Sequence, residues 1–144
     1  MTAFDLDAFL PYRLSLLANR TRHGFAAHYE REHGIDNAEW RVLAHLSQSP
    51  RISVRDIQQQ TELEKSKVSR AVSRLEQRGL LKKEADPSDS RLLSLHLTPA
   101  GQRLMDSLSD AAQRYQTEAL DTLSERERAA VDRGLRLLMR ALAP

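Results

Sequence analysis

The amino-acid sequence predicts a mainly α fold carrying a small β-wing, and three observations predict it. Successive stretches place apolar residues at helical spacing, most of them behind a recognisable helix-start signal. One stretch, Leu93, Leu95 and Leu97 alternating with Ser94 and His96, has the period of two that marks a half-buried strand. Turn chemistry, Asp86-Pro87-Ser88-Asp89, precedes that stretch and folds it back on Leu80 and Leu81 as a hairpin.

The first helix is expected over roughly residues 6–33, where Leu6, Phe9, Leu10, Leu14, Leu17 and Phe25 share one face. Pro11 lies near its start and, lacking an N–H, is expected to kink the entry. His33-Gly34 is a helix end, and Asp36-Asn37-Ala38-Glu39 is a capping box that opens a second helix carrying Trp40, Val42, Leu43 and Leu46. This helix stops near Ser47 to Pro50. Ser53-Val54-Arg55-Asp56 caps a short third helix ending near Thr61, and only Glu62 to Glu64 separate it from a basic fourth helix. Two short helices joined by a tight turn, the second basic on its outer face, form a helix-turn-helix.

Gly79 ends the basic helix at a position suited to a left-handed cap. After the hairpin, Thr98-Pro99 places a capping hydroxyl before a proline at the first helical position, opening a long helix over about residues 99–122. Ser124-Glu125-Arg126-Glu127 is a second capping box, and Val131, Leu135, Leu138 and Leu142 form the apolar stripe of the last helix.

Composition narrows the chemistry. The 144 residues suit one compact domain, with or without appended helices. Cysteine is absent, which excludes disulfides and thiolate metal sites. No apolar run approaches the ~20 residues that span a bilayer, and Asp5 and Asp7 are foreign to a signal peptide, so no membrane contact and a cytoplasmic location are expected. His23, His28 and His33 are spaced so that a helix turns each by about 140° from the last, which disperses them and disfavours a metal site. No phosphate loop, nucleophile elbow or carboxylate cluster supports catalysis or a cofactor.

Charge points elsewhere. The chain is net +2, yet the window from Lys65 to Arg91 alone is net +4, leaving the rest net −2. Such a concentration beside a helix-turn-helix is the footprint of a polyanion partner. On the fourth helix Val68, Ala71, Val72 and Leu75 face inward, while Ser66, Lys67, Ser69, Arg70, Ser73 and Arg74 face out. Short hydroxyls approach phosphates and base edges closely, and a guanidinium bonds guanine through two parallel hydrogen bonds, so Arg70 and Arg74 are the expected reading or clamping residues. Arg91 at the hairpin tip suits a narrow, electronegative minor groove. A hairpin ion pair with Asp89 is a further reading, compatible with the first.

Four stretches carry a resemblance over nearly the whole chain: GIDNAEWRVLAHL (34–46), SVRDIQQQTELEKSKVSRAVSRLEQRGLL (53–81), DPSDSR (86–91) and LTPAGQRL (97–104). Together they resemble the MarR (multiple-antibiotic-resistance regulator) family of bacterial transcription factors. One departure is Asp36, where the family often has a hydroxyl residue; the capping role is kept. The resemblance implies a single MarR-type domain over 1–144, with a winged helix-turn-helix lobe at about 36–98 and dimerisation helices at about 5–33 and 99–144. It also implies a homodimer on double-stranded DNA, sequence-specific at a near-palindromic operator and most often a ligand-responsive repressor rather than an enzyme, with Asp89 orienting Arg91. Family effectors are small aromatic or phenolic carboxylates, for which Tyr12, Arg13 and Trp40 would supply a hydroxyl, a cation and an aromatic wall. Trp40 reads equally as a core or dimer-interface aromatic, and Arg13 as a partner in a surface ion pair. The alternatives to the regulator are an effector-independent architectural DNA-binding protein and a helical protein–protein adaptor using the basic face.

Overall fold

The computed structural model describes residues 2–144, which form two compact units, one through Ser109 and one from Asp110 to Pro144. In the first unit, helix α1 (Leu10–His33) leads to α2 (Asn37–Gln48), a short strand β1 (Ile52–Ser53), α3 (Val54–Thr61) and α4 (Lys65–Gln77). Strands β2 (Leu81–Ala85) and β3 (Leu93–Leu97) follow, and helix α5 (Pro99–Ala119) runs from the first unit into the second, which also holds α6 (Glu125–Ala141).

The helix starts are made as their side chains dictate. Asp36 accepts the Glu39 N–H at 2.8 Å while Glu39 accepts the Asp36 N–H, and Ser124 and Glu127 form the same reciprocal box on α6. Ser53 accepts the Asp56 N–H at 3.0 Å. Pro11 departs from expectation. Helix α1 begins at Leu10 instead of Leu6, so Pro11 falls in the first turn, where its missing N–H has no partner to lose, and no kink is needed. Residues 6–8 form a turn whose Leu6 carbonyl accepts the Phe9 N–H.

The β-structure is larger than a hairpin. Strand β1, too short to show a period, pairs antiparallel with β3, giving the order β1-β3-β2. The alternation expected along β3 therefore holds only in part. Leu95 is fully buried and pairs with both Ile52 and Lys83, but Leu93 is exposed and Ser94 is buried. Central placement explains Ser94, which lies between Ser53 and Glu84 and donates its hydroxyl to the Glu84 carbonyl. Leu93 lies beyond β1, where only β2 remains beside it.

The core of the first unit is Tyr29, Ile35, Val42, Leu43, Ile57, Val68, Val72, Leu75, Leu81, Leu95 and Leu108, each nearly inaccessible. At about 1.5–3 kcal/mol for each large side chain buried, this set holds α4 and the sheet to α1, α2 and α3. Thr98 couples the sheet to α5. Its hydroxyl donates to the Gly79 carbonyl and accepts the Gly101 N–H, while its N–H reaches the Leu80 carbonyl. Gly101 is required here, because a Cβ would collide with the Leu80 carbonyl oxygen.

The second unit is fastened by Arg128, whose Nε donates to the carbonyls of Leu120 and Leu123 at the turn before α6. No residue of α6 is buried. Among the described residues no helix is long and apolar enough to cross a membrane.

Candidate nucleic-acid interface

Helix α3 and helix α4 meet through a tight turn in which Glu62 takes a left-handed φ of 54°. Thr61 holds that turn, donating its hydroxyl to the Ile57 carbonyl at 2.7 Å and accepting the Leu63 N–H. Arg41 of α2 adds a hydrogen bond to the Thr61 carbonyl. The buried stripe Val68, Ala71, Val72, Leu75 then leaves one arc of α4 facing outward.

Along that arc Ser66, Lys67, Ser69, Arg70 and Arg74 are exposed and Ser73 is half-buried. The structure divides them into a crest and two flanks. Ser69 and Ser73 face an open groove of about 630 Å³, which Ser53 at the end of β1, Arg55 and Gln58 of α3, and Lys83, Arg91 and Leu92 of the wing also line. Its lining residues include four cations, Arg55, Lys65, Lys83 and Arg91, and no carboxylate. Ser66 and Arg70 lie on the crest, with the Arg70 Nε directed to the Ser66 carbonyl.

Arg74 occupies the other flank. Its Nη1 is 3.1 Å from Oδ2 of Asp36, and one turn further on Arg78 donates to the carbonyls of His33 and Gly34. The guanidinium of Arg74 is thus directed to the α1–α2 turn, and the sequence pattern of α4 alone could not show this, because the partner lies 38 residues away. Glu39, buried beneath this turn, has its carboxyl pushed up from the usual range by desolvation, with the Asp36 N–H, Arg74 and Arg78 pulling it back.

The wing tip is an Asx turn. Asp86 accepts the backbone N–H groups of Ser88 and Asp89 and the Ser88 hydroxyl, and these bonds lower its carboxyl from the usual value. Asp89 accepts both the backbone N–H and the Nε of Arg91, at 3.0 and 3.2 Å. Arg91 nevertheless remains 89% exposed, so Asp89 sets its direction without covering it.

The residues expected to meet an aromatic acid are not brought together within the chain. Trp40 stacks on Tyr29 with rings 8° from parallel and meets Phe25 edge-on at 5.1 Å. Arg13 lies twelve residues before Phe25 on α1, about 18 Å along the axis. Tyr12 and Arg13 are exposed, whereas Trp40 is half-buried in aromatic packing. Among the described residues no group of three His, Asp or Glu side chains could hold a metal ion.

Sequence reasoning missed Arg55, Gln58, Lys65 and Lys83 as groove residues. The signal for Arg55 was present, since a residue two after a capping Ser stands in the first turn of its helix. Lys83 could be placed only once β2 was set beside α4, where it pairs with Glu76 at 3.7 Å.

Comparison with known proteins agrees with this geometry. A family model described as MarR family matches residues 33–92, the span from the end of α1 to the wing. The chain is 28% identical over 95 residues to YdgJ, an HTH-type transcriptional regulator of Bacillus subtilis (strain 168), covering 66% of this chain and 58% of that protein. The chain thus spans less than two-thirds of the length of the curated relatives it matches. A MarR/EmrR family transcriptional regulator from Acinetobacter sp. ADP1 superposes with a TM-score of 0.85 at 27% identity, covering 96% of this chain and 98% of its own. The PcaV transcriptional regulator from Streptomyces coelicolor, solved in complex with its natural ligand, superposes with a TM-score of 0.76 at 28% identity, covering 98% and 99%.

Proposed function

We propose that the chain is a transcriptional regulator of the MarR family, acting as a homodimeric, ligand-responsive repressor on a near-palindromic DNA operator. Members of this family are regulators, not enzymes, and no catalytic role is assigned to the chain. The observation that carries the reading is the groove shared by α3, α4 and the wing, lined by cations and hydroxyls with no carboxylate, beside the crest residue Arg70.

In this reading α4 enters the major groove, Arg70 reads a base edge, and Ser66, Lys67, Ser69 and Ser73 fix the register on phosphates. Arg91, held by Asp89, reaches the flanking minor groove. Arg55 at the first turn of α3 adds a backbone contact. Arg74 joins this set only when it leaves Asp36.

Exposed apolar surface supports the dimer. Leu6, Phe9, Leu10 and Leu17 in the first unit and Val131, Leu135, Leu137, Met139 and Leu142 in the second are exposed, an arrangement that a two-fold partner would cover. The ligand-bound Streptomyces relative supports an effector. Its proposed class is an aromatic or phenolic carboxylate, with Arg13 as the cation and Tyr12 as the hydroxyl. Trp40 serves this chain chiefly as packing for α1 on α2. A regulator of this kind works in the cytoplasm.

Binding to DNA upstream of its own gene, against a scrambled duplex and across a salt series, tests the proposal. A dimer complex specific for the first duplex, lost on Arg70→Ala and loosened by a set of aromatic acids, is the expected result. Equal and steeply salt-dependent binding to both duplexes would replace it with an architectural role.

A further inference from the structure

The carboxylate of Asp36 uses its two oxygens for different ends. Oδ1 accepts the Glu39 N–H and caps α2, while Oδ2 pairs with Arg74 of α4. A hydroxyl would cap as well, so the second oxygen is what a carboxylate adds at this position.

Arg74 lies one helical turn from Arg70 and two turns from Lys67, on the outward arc of α4. Released from Asp36, it would extend the row of cations that faces a nucleic-acid backbone. The pair is about half-exposed on both sides, so it is weak, salt-labile and open to competition from phosphate. Arg78 differs. It donates to two carbonyls at the C-terminal end of α1, where a cation is favoured, and ties α4 to the α1–α2 turn whether or not Arg74 is paired.

We propose that Asp36 is a charge gate on helix α4: by holding Arg74 it withholds one cation from the DNA backbone, and so restrains non-specific binding without moving the helix. This deepens the DNA-binding reading and rests on it. One phosphate contact fewer lowers affinity for the upstream and scrambled duplexes alike and leaves base contacts from Arg70 untouched, so the gate reduces the sequence-independent part of binding while the ratio of specific to non-specific affinity stays set by the base contacts.

The test is Asp36→Ser, which keeps a capping oxygen and removes the charge, measured on the upstream and scrambled duplexes across a salt series, alone and in an Arg74→Ala background. Asp36→Asn, also a good cap, serves as a second variant, and thermal melting checks that both fold. The expected result is a salt slope steeper by about 0.9, the value of one neutralised phosphate, with several-fold tighter binding to the scrambled duplex at low salt. In the Arg74→Ala background the same substitution should change neither. An unchanged slope in folded Asp36→Ser and Asp36→Asn, or an equal gain without Arg74, would overturn the gate. If the unsubstituted protein shows no preference for the upstream duplex, or Arg70→Ala does not weaken it, the regulator reading itself fails and the gate falls with it.

Discussion

Three residues show how one side chain can carry a measurable share of the fold. Glu39 is buried at the third position of α2, accepts the Asp36 N–H, and has its carboxyl raised mainly by desolvation. A carboxyl raised in the folded state contributes stability that is present below its unfolded value and is lost as pH rises through the folded one. Glu39→Gln keeps the acceptor and removes the charge, so it should leave the melting temperature at neutral pH unchanged or higher, with the difference fading as pH is lowered. Asp86 has the opposite sign. Its carboxyl is lowered by hydrogen bonds within the wing turn, so that contribution is present above the ordinary carboxylate value and lost as pH falls through the depressed one. Gly101 is a matter of space. Gly101→Ala should cost about 1–3 kcal/mol by forcing the start of α5 away from Leu80, read as a lower urea midpoint with an unchanged m-value. Asp36 and Glu39 were legible as a capping box in the sequence. The second partner of Asp36 was not, because a pairing across 38 residues leaves no local pattern.

At the scale of elements, the helix-turn-helix and the wing are proposed to act through different contacts and should fail differently. Arg70→Ala removes a proposed base contact, so it should cost operator binding about 1–3 kcal/mol and spare the scrambled duplex, as seen in parallel titrations. Arg91→Ala should also weaken the operator complex and reduce its salt slope by about 1. Asp89→Asn should do less than either, since an asparagine oxygen still accepts the Arg91 N–H and only the exposed ion pair is lost. Helix starts marked by side-chain caps were readable because those bonds are local, whereas the start of α1, which has no side-chain cap, lies at Leu10 and not at Leu6. Strand β1 escaped notice because two residues cannot display an alternation, and its pairing with β3 is what buries Ser94. The wing was likewise expected to bury Leu93, but nothing covers the far end of β3 except β2.

For the whole molecule, the exposed leucines of α1 and α6 bear on assembly. Leu135→Asp, placed on the unburied apolar face of α6, should convert the proposed dimer to monomer in sedimentation experiments and abolish operator binding, while leaving the thermal melt of the DNA-binding lobe cooperative. A variant that stays dimeric would place the interface elsewhere. The sequence by itself determined the elements that short-range physics controls: the capped helices, the turn at Asp86, the inward stripe of α4 and the local concentration of positive charge. The resemblance to the MarR family likewise rests on motifs confined to those elements. Only the tertiary structure decided which cations share a groove with the wing, that Trp40 packs with Phe25 and Tyr29 at a distance from Arg13, and that Arg74 is held by Asp36. The division has a physical cause: caps and periods are fixed by neighbours within a few residues, whereas grooves and ion pairs depend on how far-separated segments are packed by the common core.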